Sequence, residues 1–135
     1  MLKIISDKII VHSNALNCID YLSDLNNYNN LFPENKINNW KSSTDYCKFN
    51  IQNTYSLDIK KKDISKNNVF LVSGKESPFS FKIKVEIQEK DSENCIAQIT
   101  CEADVNPILK VLVGKPLNEL FNYMANNIEK AILLD

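Results

Sequence analysis

Phe79-Ser80-Phe81-Lys82-Ile83-Lys84-Val85-Glu86-Ile87 and Cys95-Ile96-Ala97-Gln98-Ile99-Thr100-Cys101-Glu102-Ala103-Asp104-Val105 decide the fold of this chain. Both stretches alternate apolar and polar residues, the period of a strand with one buried and one wet face. Phe79, Phe81, Ile83, Val85 and Ile87 face one way, with Lys82, Lys84 and Glu86 behind them. Cys95, Ala97, Ile99, Cys101, Ala103 and Val105 form the matching row, with Gln98, Thr100, Glu102 and Asp104 behind. Between the stretches, Lys90-Asp91-Ser92-Glu93-Asn94 reads as a hairpin loop. A register that sets Ile83 beside Cys101 also sets Lys82 beside Glu102, so core pairing and charge pairing agree.

Towards the N-terminus the same period continues. Cys47, Phe49 and Ile51 alternate with Lys48, Asn50 and Gln52; Tyr55, Leu57 and Ile59 alternate with Ser56, Asp58 and Lys60. Val69-Phe70-Leu71-Val72 is apolar on both faces. About six antiparallel strands are therefore expected from Ile37 onward. Ahead of them, residues 2–11 read as one strand bulged near Ser6-Asp7. Ser13 or Asn14 then caps a helix carrying Ala15, Leu16, Ile19, Tyr21, Leu22 and Leu25 at helical spacing. Leu31-Phe32-Pro33 closes a second short helical piece, because the residue before proline is pushed out of the α region.

After the hairpin, Asn106-Pro107 supplies a helix cap and a first-turn proline. Leu109, Leu112, Val113, Leu117, Leu120, Phe121, Met124, Ile128 and Ala131 then make one wide apolar stripe. Gly114-Lys115-Pro116 should kink this helix. Asn127 is the one polar residue projected onto the stripe. The order β-α-α-β6-α places the chain in the α+β class, with a curved antiparallel sheet wrapped around a long C-terminal helix. Where such a helix does not fill the concave face, a cavity remains.

A length of 135 residues suits one domain over 1–135, large enough to fold without a metal or disulfide staple. All 16 basic residues are Lys, and the net charge is −1. Without Arg or a basic field, specific nucleic-acid binding is not expected. Together with nineteen Asn, the all-Lys usage reads as the coding habit of an AT-rich genome. The apolar start is broken by Lys3, Asp7 and Lys8, unlike a signal segment, and no run approaches about 18 apolar residues, so stable membrane insertion is not expected. The four cysteines form no C-x-x-C pair, and Cys95 and Cys101 stand about 20 Å apart along one extended strand. A reduced, cytoplasmic protein is the expectation.

Ile9-Ile10-Val11-His12-Ser13, Cys18-Ile19-Asp20-Tyr21-Leu22-Ser23-Asp24-Leu25-Asn26-Asn27-Tyr28, Phe32-Pro33 with Trp40, Asp104-Val105-Asn106-Pro107-Ile108-Leu109 and Lys115-Pro116-Leu117 together give the chain its family likeness. It resembles the START-like (SRPBCC) superfamily, the helix-grip fold of the birch pollen allergen and the polyketide cyclases, over essentially its whole length. It is most similar there to small bacterial members without an assigned activity. It departs from them at Asn14, where the first helix usually opens with Pro. The resemblance implies a pocket for a small hydrophobic or amphipathic molecule between sheet and long helix, and carries no catalytic signature. Members bind lipids, sterols, polyketides or hormones; some catalyse cyclisation and others bind proteins, so fold alone does not choose.

The cavity candidates are Phe49, Tyr55, Leu57, Leu71, Phe81, Ile83, Ile99, Cys101, Leu112, Leu117, Phe121 and Asn127. Tyr55, Asn53 and Asn127 are the polar groups expected to point inward. His12, the only histidine, reads as a surface or capping residue. The cysteines read as inert core thiols, because an apolar setting keeps a thiol protonated. Lys60-Lys61-Lys62, bracketed by Asp58 and Asp63, reads as a solvated strand end. No motif for a metal or cofactor stands in the chain. Three functions remain open: a non-enzymatic binder of a small hydrophobic molecule, a cyclase- or dehydratase-type enzyme using Tyr55, alone or with His12, for proton transfer, or a protein-interaction module with a filled cavity. A protein partner, and either a monomer or a homodimer, fit each of them.

Overall fold

The computed structural model describes residues 1–51 and 55–134. Eight strands form one antiparallel sheet: β1 (Leu2–Ile5), β2 (Ile9–Val11), β3 (Ile37–Ser42), β4 (Tyr46–Ile51), β5 (Tyr55–Ile64), β6 (Asn68–Ser73), β7 (Ser80–Glu89) and β8 (Cys95–Asp104). The order across the sheet is β1-β8-β7-β6-β5-β4-β3, with β2 also paired to β8, and the sheet does not close. In the long β7–β8 hairpin, Ile83 lies opposite Cys101 and Lys82 opposite Glu102, the register that the alternation sets.

Side-chain caps start the helices. Asn14 opens α1 (Ala15–Leu22), its side chain accepting from the Asn17 N–H at 2.8 Å. Asp24 opens a 3₁₀ turn over Leu25–Asn30. Asn106 opens α2 (Pro107–Asn126), accepting from the Leu109 N–H at 2.8 Å, with Pro107 in the first turn where its missing N–H costs nothing. A last helix, α3, spans Ile128–Leu134. Val113, Leu117, Leu120, Phe121, Met124 and Ala125 of α2 are buried in one cluster with the inner rows of β4 to β8 and with Cys18, Ile19, Tyr21 and Leu22 of α1. The layers are thus helices against one face of a curved sheet: the helix-grip arrangement.

Several local expectations need correction. Residues 2–11 form two strands, not one. Ser6 inserts between them: its hydroxyl accepts the Ile99 N–H, its N–H reaches the Ile99 carbonyl, and the pairing with β8 slips by one residue. The second helical piece is a 3₁₀ turn that ends before Leu31-Phe32-Pro33. The long C-terminal helix breaks at Asn127 rather than at Gly114-Lys115-Pro116. Pro116 leaves the Leu112 carbonyl without its helical donor, and this turn is exposed, so water can replace it. The order is therefore β-β-α-3₁₀-β6-α-α. In β3, Asn39 has a positive φ of 55° beside a register shift between Asn38 and Lys41. That local irregularity accompanies Trp40 stacked on Phe49.

Candidate functional site

Most of the cavity candidates share the inner face. Phe49, Leu57, Leu71, Phe81, Ile83, Ile99, Cys101, Leu117 and Phe121 are all buried in the core cluster. Phe49 is packed between Phe32, at 4.7 Å between ring centres, and Trp40, at 5.4 Å. It supports the wall more than it lines a space. Two candidates do not join them. Leu112 is 67% exposed: it sits one helical step, about 100°, behind the buried Val113 and so turns away from the sheet. Asn127 is half-exposed as the C-terminal cap of α2, and its amide donates to the Asn30 carbonyl at 2.7 Å. Asn53 lies outside the described residues.

Tyr55 carries the polar chemistry of the inner face. It is the register partner of Ile51, and directly paired residues project to the same side of a sheet. Ile51 lines a cleft of about 530 Å³ between residues 33–36 and α2, with Pro33, Pro116 and Leu120 as apolar walls and Lys36, Glu119 and Tyr123 at its rim. The Tyr55 ring tilts against Phe79 at 6.2 Å, and Phe79 meets Phe81 edge-on at 6.0 Å. The Tyr55 hydroxyl is buried and has no hydrogen-bond partner among the described residues. Burial, reinforced by Cys101, pushes its pKa up to about 12, so it is a neutral phenol and a hydrogen-bond donor at neutral pH. An unsatisfied buried hydroxyl costs roughly 1–3 kcal/mol. Any acceptor that enters recovers part of that cost.

The helix above is thinly packed at its start. From Pro107 to Leu112 only Leu109 is even half-buried. A Cβ added at Gly114 would meet nothing within 4 Å. Sequence reasoning missed this opening and the Pro33–Pro116 cleft. The available signal was Pro33 and Pro116, which face each other across the cleft.

The remaining candidates lie elsewhere. His12 is exposed and its imidazole is paired with Glu129, whose carboxylate also accepts the His12 N–H at 3.0 Å. These contacts hold the Glu129 carboxyl below its usual range. His12 lines a different cleft, beside Ser13, Asn17 and Asn94. Lys61, expected as part of a solvated run, is largely buried instead. Its ammonium donates to the Ser23 carbonyl at the C-terminal end of α1 (2.8 Å) and pairs with Asp45 (3.0 Å). Asp58, expected on the wet face, is 8% exposed because the loop after β6 folds over it. Its carbonyl accepts the Gly74 N–H at 2.7 Å and its carboxylate the Glu76 N–H at 3.3 Å. Among the described residues no three His, Cys, Asp or Glu side chains gather to hold a metal ion, and no described helix is long and apolar enough to cross a membrane.

No protein-family model matches the chain, and no curated protein matches it by sequence. Solved structures do match. A START superfamily protein from Mycobacterium smegmatis is 14% identical, with a TM-score of 0.70 over 98% of this chain and 97% of that one. A conserved protein from Geobacillus kaustophilus is 16% identical, with a TM-score of 0.72 over 98% and 96%. Norcoclaurine synthase from Thalictrum flavum, in complex with dopamine and hydroxybenzaldehyde, is 12% identical, with a TM-score of 0.66 over 98% and 88%. At these identities the likeness is one of fold, and that fold is START-like.

Proposed function

We propose that this START-like, helix-grip chain binds a small hydrophobic or amphipathic molecule between its sheet and α2, without catalysing its conversion. The observation that carries the proposal is the Tyr55 hydroxyl, buried beside Phe79 and without a partner. A ligand with one hydrogen-bond acceptor on an apolar body suits such a place. Burying about 300 Å² of its apolar surface would contribute about 7 kcal/mol before association costs, and Tyr55 would set its orientation. Entry is along the cleft lined by Ile51, Pro116 and Leu120. The norcoclaurine synthase complex shows small aromatic molecules on a protein of this fold, which supports the same class of ligand here. Four unpaired cysteines fit a reducing bacterial cytoplasm as the place of action.

A cyclase- or dehydratase-type enzyme would rest on Tyr55 for proton transfer without help from His12, which lines another cleft, where it is tied to Glu129. A protein-interaction module draws on a different observation. Ile108, Val111 and Leu112 are 77%, 82% and 67% exposed on one side of α2, an apolar stripe of the kind that partners cover.

Native mass spectrometry of freshly purified protein, with solvent extraction, tests the proposal. A reproducible small-molecule adduct is expected. Tyr55→Phe should weaken its retention about 10-fold, the loss of one hydrogen bond, with thermal stability preserved. A bare mass, together with no fluorescence change of the apolar probe N-phenyl-1-naphthylamine, would overturn binding in favour of the interaction module.

A further inference from the structure

Cys18 and Cys95 are 77 positions apart in sequence, yet their sulfurs lie 3.1 Å from each other between α1 and the head of β8. We propose that this pair is an oxidation site that closes to an intramolecular disulfide when the protein meets a hydroperoxide. The inference stands apart from the ligand pocket.

Three features favour closure. First, a disulfide needs the sulfurs only about 1 Å closer than they already are, a movement within reach of side-chain rotation. Second, the backbone is fixed on both sides of the contact: Cys18 is held in α1 by its N–H bond to the Asn14 carbonyl at 3.2 Å, and Cys95 in β8 by pairing with Val11 and Glu89. Third, an open cleft of about 600 Å³ lies above the pair. Ser13 lines that cleft, as do Asn17 and Asn94, the residues immediately before the two cysteines. Both sulfurs are fully buried, so a reagent must be small to reach them; a hydroperoxide is.

The chemistry balances with the peroxide as the sole oxidant. The Cys95 thiolate attacks one peroxide oxygen and the O–O bond breaks, giving a sulfenic acid and a hydroxide that takes up a proton. The Cys18 sulfur then attacks the sulfenic sulfur, the S–O bond breaks, and water leaves with the thiol proton. In sum, two thiols and hydrogen peroxide give one disulfide and two waters, with two electrons passing from sulfur to oxygen. Burial raises both thiols, and the same two steps balance with the roles of the two sulfurs exchanged. Mostly protonated thiols make the site slow, suited to sustained exposure rather than rapid sensing. Cys47 and Cys101 are buried elsewhere, on β4 and β8, and share no sulfur contact among the described residues.

The test exposes the wild-type chain to hydrogen peroxide, then denatures it and alkylates it with iodoacetamide. The expected result is a mass loss of about 2 Da before alkylation, two of the four thiols protected from iodoacetamide, and a Cys18–Cys95 linked peptide after digestion. Cys47→Ala should still lose the 2 Da, and Cys18→Ala should not. Four alkylatable thiols, under conditions that oxidise the urea-unfolded chain, would overturn the proposal; so would a linkage through Cys47 or Cys101.

Discussion

Tyr28 and Tyr55 are both aromatic rings with buried hydroxyls, and they live in opposite circumstances. The Tyr28 hydroxyl donates to the Leu22 carbonyl at 2.8 Å, and the residue is fully buried where the 3₁₀ turn meets α1. Tyr55 keeps its hydroxyl from water with no partner among the described residues. The two glycines divide in the same way. A Cβ at Gly74 would stand 2.3 Å from the Asp58 carboxylate, whereas one at Gly114 would meet open space. The surroundings of Tyr28 and Gly74 are filled and satisfied, whereas those of Tyr55 and Gly114 are not, and the proposed ligand would bind beside Tyr55.

Four substitutions and one titration break or sharpen this contrast. Gly74→Ala should be the most damaging, at about 1–3 kcal/mol, because the packed Asp58 side chain must move; chemical denaturation reads it directly. Tyr28→Phe should cost about 1–2 kcal/mol by orphaning the Leu22 carbonyl. Tyr55→Phe should leave stability unchanged or slightly higher, since it removes a hydroxyl that was already unsatisfied. Equal losses for the two tyrosines would erase the distinction. Gly114→Ala should stabilise by about 0.5–1 kcal/mol through helix propensity alone, and a loss there would mean that the space is filled.

The titration concerns alkaline stability. Burial raises Tyr55, Cys18 and Cys101 each to about 12, from 10 for the tyrosine and 9 for the thiols. The folded state therefore holds protons that the unfolded chain releases first. Their contribution is intact below about pH 9 and is lost as pH climbs towards 12. A Tm that falls across that window, and less steeply above pH 10 in Tyr55→Phe, is the expected outcome. A Tm flat to pH 11 would show that these groups are more hydrated than the structure has them.

The order of the main elements, the β7–β8 register and the helix cap at Asn106 were legible in the sequence, and the first helix cap was narrowed to Ser13 or Asn14. Each depends on residues close together in the chain or on a period that a buried face imposes. The same periodicity picked out the inner rows that hold Phe81, Ile83, Ile99 and Phe121. It failed where a neighbour from elsewhere changes the outcome. Asp58 alternates like a wet-face residue but is covered by the loop that contains Gly74. Lys61 sits in a charged run but reaches the end of α1. Leu112 fits the wide stripe but stands about 100° around the helix from the buried Val113, away from the sheet.

The sequence by itself determined a one-sided antiparallel sheet, a long apolar-striped helix to lie against it, and the absence of a strong basic field or an Arg-based recognition surface. Those follow from composition and from periods of 2 and 3.6 residues, which local geometry alone enforces. Only the tertiary structure decided that Tyr55 is left without a partner, that Gly114 faces open space, and that Cys18 meets Cys95. The physical reason is that satisfaction, emptiness and contact depend on distances between segments far apart in the chain, and no local pattern encodes them.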